Sequence, residues 1–384
     1  MDKIDTQTIR LNRLLEFLIK HNGSDLHIKS NALISARVNG DIVKITKDKF
    51  TMEDGDALAK ELLGIRYAEF LKEKNIDFNY TLNNEYRFRV NMFLQIDGVS
   101  AVFRAIPMTI PTIDELNLPK ILKKIALETS RGIILVTGPT GCGKTTTIAS
   151  MINLINENKP KHIISIEDPV EFIYKDAKSV VNQRALGQDC SDFYDALRAA
   201  LREDPDVIFV GEIRDTITME TAIRAAETGH LVFSTLHTMD AKDTLNRVLG
   251  MFDGSEQNRI RMAFASVLGA VICQRLVRTV GNKRRAAVEI MIKNARIEDM
   301  ILTGREHELD DAIKDGKNTY GMQTFGQHLL ELYVNGVITM DEALEKSSNR
   351  ADLEMEIRNQ HLKTEDAKRY QEQEEVGEIA LQDI

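Results

Sequence analysis

One segment restricts this chain more than any other. The apolar run GIILVT leads into Gly138-Pro139-Thr140-Gly141-Cys142-Gly143-Lys144-Thr145, and Thr146 then opens a stretch with helical character. The segment fits GxxxxGK[ST] in its working context, a strand before and a helix after. The glycines let backbone N–H groups close around phosphate oxygens, and the helix start adds its positive end. Lys144 is expected to reach the β- and γ-phosphates, and Thr145 to place its hydroxyl on Mg²⁺. ATP and Mg²⁺ are therefore the expected ligands, with residues 138–146 as the binding loop. Cys142 occupies a variable loop position: it either fills space or is a thiol whose modification blocks nucleotide entry.

A phosphate loop of this kind needs a parallel sheet. Four short apolar runs, GIILVTG, HIISIED, DVIFVGE and HLVFSTLH, alternate with helical stretches and predict a doubly wound α/β domain. Carboxylates stand at the ends of these runs: Glu167, Asp168 and Glu171 after the second, Glu212 after the third. Strand ends line the ligand crevice of open α/β sheets, where a carboxylate can orient water or hold Mg²⁺ through water. Taken alone, each reads as a solvated strand-end charge; the phosphate loop in the same sheet reverses that reading for Glu212. His230 and His237 bracket the fourth run. Their odd separation points them to opposite faces of a regular strand, against a shared metal.

Prolines divide the chain. Pro107, Pro111 and Pro119 fall close together, and none follows Pro205. This predicts an N-terminal α+β domain at 1–107, a linker at 108–118, a P-loop domain with C-terminal helices at 119–350, and an acidic, partly disordered tail at 351–384. In the first domain Leu11, Leu14, Leu15 and Leu18 have helical spacing, with Gly23 as the stop. Asn39-Gly40 and Asp97-Gly98 predict two hairpins. Tyr86, Phe88, Val90, Met92 and Leu94 alternate to one face of a strand, so Arg87 and Arg89 project from the other. Arg104 lies out of phase with Phe103 and Ala101.

The balance of 50 basic against 59 acidic residues argues against a broad nucleic-acid surface. That argument weakens once the charge is located, since residues 351–384 hold −6 of the total −9. Three cysteines without a CxxC pair exclude a disulfide framework and a four-cysteine zinc site. The longest apolar run, Met262–Cys273, is too short to span a bilayer and reads as a buried helix. A charge-interrupted N-terminus lacks the core of a signal peptide, which predicts a cytoplasmic protein without membrane insertion.

GPTGCGKTTT, SIEDPVEF, REDPDVIFVGEIRD and AAETGHLVFSTLHT, in this order, resemble the secretion-type ATPases, and more narrowly the PilT/PilU-like type IV pilus retraction ATPases. The likeness runs from GSDLHI to GMQTF. It implies a cytoplasmic homohexamer, peripheral to the inner membrane at the pilus base, that docks on the pilus platform protein and works beside a paralogous retraction ATPase. Each subunit would pair a PAS-like N-terminal domain with a RecA-like ATPase domain. By position, Glu171 falls on the family's acidic box and Glu212 on its catalytic glutamate. Gly211 stands where other P-loop proteins carry aspartate. His230 and His237 fall on the histidine box, and Arg89 and Arg104 on arginines that reach the phosphates. The three cysteines cannot supply the zinc motif of the assembly and type II secretion branch. ARIEDMILTG, with Glu298, departs from the AIRNLIRE motif of the principal retraction motor, which suggests a PilU-like accessory or a paralogue. Pilus assembly, type II secretion and a RecA-like nucleic-acid translocase stand as alternatives.

Overall fold

The computed structural model describes residues 6–38, 40–83, 85–107 and 109–360. The chain divides into two compact units. The first takes residues up to Ile110 together with Glu171–Tyr174; the second takes Pro111–Val170 and the chain from Lys175 onward.

The first unit is a six-stranded sheet with helices on one face. Its strands are β1 (Gly23–Lys29), β2 (Ala32–Val38), β3 (Asp41–Phe50), β4 (Asn75–Leu82), β5 (Tyr86–Gln95) and β6 (Gly98–Ile106), in the spatial order β3-β2-β1-β6-β5-β4. The helix Thr6–Lys20 buries Leu11, Leu15 and Leu18 in the same core as Phe88, Val90, Met92 and Phe103. Alternation on β5 is as the sequence predicts, since Arg87 and Arg89 are exposed between those core residues. Both hairpins form: Val38 pairs with Asp41, and Gln95 with Gly98. Gly40 and Gly98 take the positive φ that such turns require, +96° and +105°; Asn39 lies outside the described residues. Gly23 is not the helix stop. The helix ends at Lys20, Asn22 makes the left-handed turn, and Gly23 opens β1, where a Cβ would fall 2.4 Å from Leu18 Cδ1.

The second unit carries β7 (Gly132–Thr137), β8 (His162–Glu167), β9 (Val180–Ala185), β10 (Val207–Val210), β11 (Leu231–Leu236), β12 (Leu268–Arg278) and β13 (Arg284–Ile292), in the order β13-β12-β7-β11-β10-β8-β9. The four apolar runs of the sequence are β7, β8, β10 and β11, all parallel and central. Every residue of β7, β10 and β11 is buried, as strands covered on both faces must be. Register aligns their carboxyl ends: Thr137 lies beside Leu236, and Val210 beside Ser234 and Ile166.

The run Met262–Cys273 is not one helix. The helix Gln257–Val267 stops inside it, and Leu268 turns extended to begin β12, which pairs with β7 on one side and β13 on the other. An apolar run fits a buried helix and a buried strand equally, and the single glycine in it, Gly269, falls at the irregularity where β12 begins. Beyond Ala351 the chain is likewise more ordered than its acidity suggests. A helix over 350–360 buries Leu353 and Ile357 against the second unit's core. The residues after 360 lie outside the described residues.

Candidate active site

The phosphate loop joins β7 to the helix Lys144–Asn158 at the carboxyl edge of the sheet. Its backbone tolerates no side chains at two of its glycines. Gly138 has φ +140°, and a Cβ there would lie 2.2 Å from the carbonyl oxygen of Gln274. Gly143 has φ +94°, and a Cβ would lie 2.9 Å from Gln274 Nε2. Gln274, on β12, explains both approaches. Its amide accepts from Thr147 Oγ1 at 2.8 Å and donates to the Cys142 carbonyl, tying the loop to the first turns of its helix.

Lys144 is 8 % exposed and donates to the carbonyls of Gly138 at 2.8 Å and Pro139 at 3.2 Å. A buried ammonium held by uncharged oxygens is poised for an anion, and phosphate fits the glycine-lined cradle around it. Pro139, Thr140 and Gly141 are exposed at the loop's crown, while Thr145 and Thr146 are half-buried in the first helical turn. The Thr145 hydroxyl therefore suits a hard cation shared with phosphate oxygens. Cys142 is 3 % exposed, and burial pushes its thiol up, which favours the space-filling reading.

Beside the loop lies a cavity of about 650 Å³, large enough for a nucleoside, walled by Asn117, Leu118, Cys142, Gly143, Leu276 and Arg285. The linker thus contributes a wall and is itself fixed. The Thr112 backbone N–H donates to Glu115 Oε2, and the Glu115 N–H returns a bond to Thr112 Oγ1. Ile113 and Leu118 are buried.

Glu212 follows β10 at the same sheet edge. One of its oxygens meets Arg214; the other lies 3.4 Å from His237 Nε2, at the end of β11. Gly211, which precedes it, packs against the backbone of the neighbouring strand. Its N–H donates to the Ile166 carbonyl, and a Cβ would stand 3.3 Å from that oxygen. The carboxylate is thereby carried one residue further out. Glu167 is buried and bonded by Ser165 at 2.7 Å, a structural role. His230 is not brought to this edge. It sits at the amino end of β11, where its Nδ1 lies 2.8 Å from the Ala225 carbonyl, and the six residues of β11 separate it from His237 by about 20 Å. Glu171 is exposed and groups with the first unit.

Within the first unit Arg89 and Arg104 are cross-strand neighbours on β5 and β6. Sequence reasoning missed Gln274 and Arg214. Gln274 had a signal, a lone amide inside an apolar strand run, which must be hydrogen-bonded if buried. Arg214 had none beyond its place next to the catalytic candidate.

The chain matches the family described as Type II/IV secretion system protein over residues 3–378. It is 40 % identical over 341 residues to the type IV pilus retraction ATPase PilT of Pseudomonas aeruginosa, covering 88 % of this chain and 98 % of that protein. It is 38 % identical to the type IV pilus ATPase PilU of the same organism, covering 91 % and 92 %. A crystal structure of the pilus retraction motor PilT with bound ADP superposes with a TM-score of 0.83 at 41 % identity, over 90 % of this chain and 98 % of that one. The chain is accordingly an α/β ATPase of the type II/IV secretion system protein family.

Proposed function

We propose that the protein is an ATP-driven motor of type IV pilus retraction, a cytoplasmic homohexamer acting on the pilus platform protein at the inner membrane. The observation that carries this reading is the near full-length match to a retraction ATPase, 98 % of which is covered. The cysteine count, which cannot furnish the zinc motif of the assembly branch, supports the same direction. Among the described residues no helix is long and apolar enough to cross a membrane, in keeping with a motor that borrows its membrane contact from a partner. Similar identities to PilT and PilU support the retraction branch as a whole; the ARIEDMILTG departure favours a PilU-like accessory or a paralogue within it.

In this reading, Lys144 exchanges the carbonyls of Gly138 and Pro139 for phosphate oxygens, and the loop's N–H groups close on the same charge. Thr145, and Glu171 through water, would hold Mg²⁺, which would supply positive charge to the phosphate oxygens. Glu212 orients the attacking water, and His237 and Arg214 fix its carboxylate. Arg89 and Arg104 stabilise charge developing on the γ-phosphate. His230 has no part in the chemistry of its own subunit's sheet edge. The cavity between the linker and β12 takes the nucleoside. Deleting the gene and imaging pili tests the direction of work: excess surface pili with lost twitching is expected, whereas loss of pili would assign the protein to assembly.

A further inference from the structure

Four strands of the first unit place a row of charges on the sheet face opposite the helices. Register sets Arg37 beside Asp25, Asp25 beside Arg104, and Arg104 beside Arg89. Their chain neighbours Ala36, Leu26, Phe103 and Val90 point into the core, so all four share the other face. Three guanidiniums thus accompany one carboxylate. Like charges directly opposite on paired strands are mildly unfavourable, so an anion bound at Arg89 and Arg104 would relieve their repulsion.

The carboxylate is committed. Asp25 is 4 % exposed, accepts from Ser24 Oγ at 2.8 Å and Arg104 Nε at 2.8 Å, and lies 3.9 Å from Arg37 Nε. Burial alone would raise its pKa, but the bonds from Arg104 and Ser24 outweigh it and hold the carboxyl below its ordinary range. Arg104 keeps 69 % of its side chain exposed. A guanidinium is a planar fork of five donors, and fixing Nε fixes the plane while the Nη1–Nη2 edge faces away. That edge has the spacing to grip two oxygens of one phosphate.

We propose that Asp25 is a positioning residue, which sets the plane of Arg104 so that its outer edge, with Arg89 beside it, binds the terminal phosphate of the nucleotide. Asp25 touches no substrate and acts through Arg104; Arg37 and Ser24 steady its carboxylate. The inference rests on the reading of Arg89 and Arg104 as phosphate-binding arginines given above.

The test is steady-state ATP hydrolysis by the full-length protein carrying R104A, R104K, D25A or the double change R104A/D25A. R104A is expected to lower kcat by about 10³-fold or more, as loss of such arginines does elsewhere, and D25A by about tenfold with KM little changed. R104K should behave like R104A, because an ammonium cannot bond Asp25 and hold a two-point edge to phosphate together. The double variant should match R104A alone. If D25A slows the R104A protein by the same factor as the parent, Asp25 does not work through Arg104 and the proposal fails. If R104A leaves kcat unchanged, the phosphate-arginine reading itself fails, a separable outcome. Should D25A not assemble, D25N keeps the shape without the charge and serves the same comparison.

Discussion

At the scale of single residues, the proposed roles separate groups that would hold the nucleotide from groups that would act on it. Glu212 is held between Arg214 and His237, while Lys144 and Gln274 bond the loop itself. Glu212→Gln is expected to retain ATP binding and lose turnover, read by fluorescent-nucleotide titration beside an ATPase assay. Gln274→Ala should do the opposite. It frees the Cys142 carbonyl and Thr147 hydroxyl, so affinity should fall by roughly 1–3 kcal/mol with a smaller change in saturated rate. Near-normal hydrolysis by the first variant would remove Glu212 from the chemistry.

At the scale of elements, β13 and the helix Phe325–Val334 packed on it each carry one buried residue, and the two respond to pH in opposite senses. Burial pushes Glu289 up to about 7, and the Asp310 and Asp240 charges add to it; the Ala241 N–H bonds it at 2.9 Å. Burial pushes His328 down to about 4, and its Nδ1 accepts from the Val288 N–H. A raised acid favours the fold while it keeps its proton. Its contribution is full below about 4.5 and is lost as pH rises through about 7. A lowered base works the other way, contributing fully above 6.5 and losing that as pH falls through about 4. Melting temperature against pH should therefore change in opposite senses: Glu289→Gln gains relative to the parent on the alkaline side, His328→Gln on the acid side. Parallel shifts in both variants would contradict the assignment.

Neither residue was legible in the sequence: Glu289 sits on a strand that was not, and His328, on a helix, takes its role from its bond to that strand. The phosphate loop, the four central strands, both hairpins and the arginine face of β5 follow from local signals: glycine spacing, apolar runs, two-residue turns and period-two alternation. β12 escaped because one apolar run continues from helix into strand, broken only by Gly269. Residues whose part is set by distant partners, such as Gln274 against the loop, have no local pattern beyond their misplaced polarity.

At the scale of the whole molecule, the C-terminal helix over 350–360 belongs to the second unit's core despite its acidic surroundings. Leu353→Ala should cost about 2–5 kcal/mol in denaturant unfolding, while Met355→Ala, at a 57 % exposed position, should stay within about 0.5 kcal/mol. Equal small effects would mean the helix does not anchor.

The division into units has a mechanical consequence. Because Glu171–Tyr174 groups with the first unit, the chain passes between the two units three times, after Ile110, Val170 and Tyr174. A single proline-marked linker would act as a pin about which one body swings freely. Three threads make a linkage with fewer free motions. Two of them leave from the segment that directly follows Glu167, at the carboxyl end of β8. Covalent bonds therefore join the first unit to the chain just beyond β8, as well as through the linker.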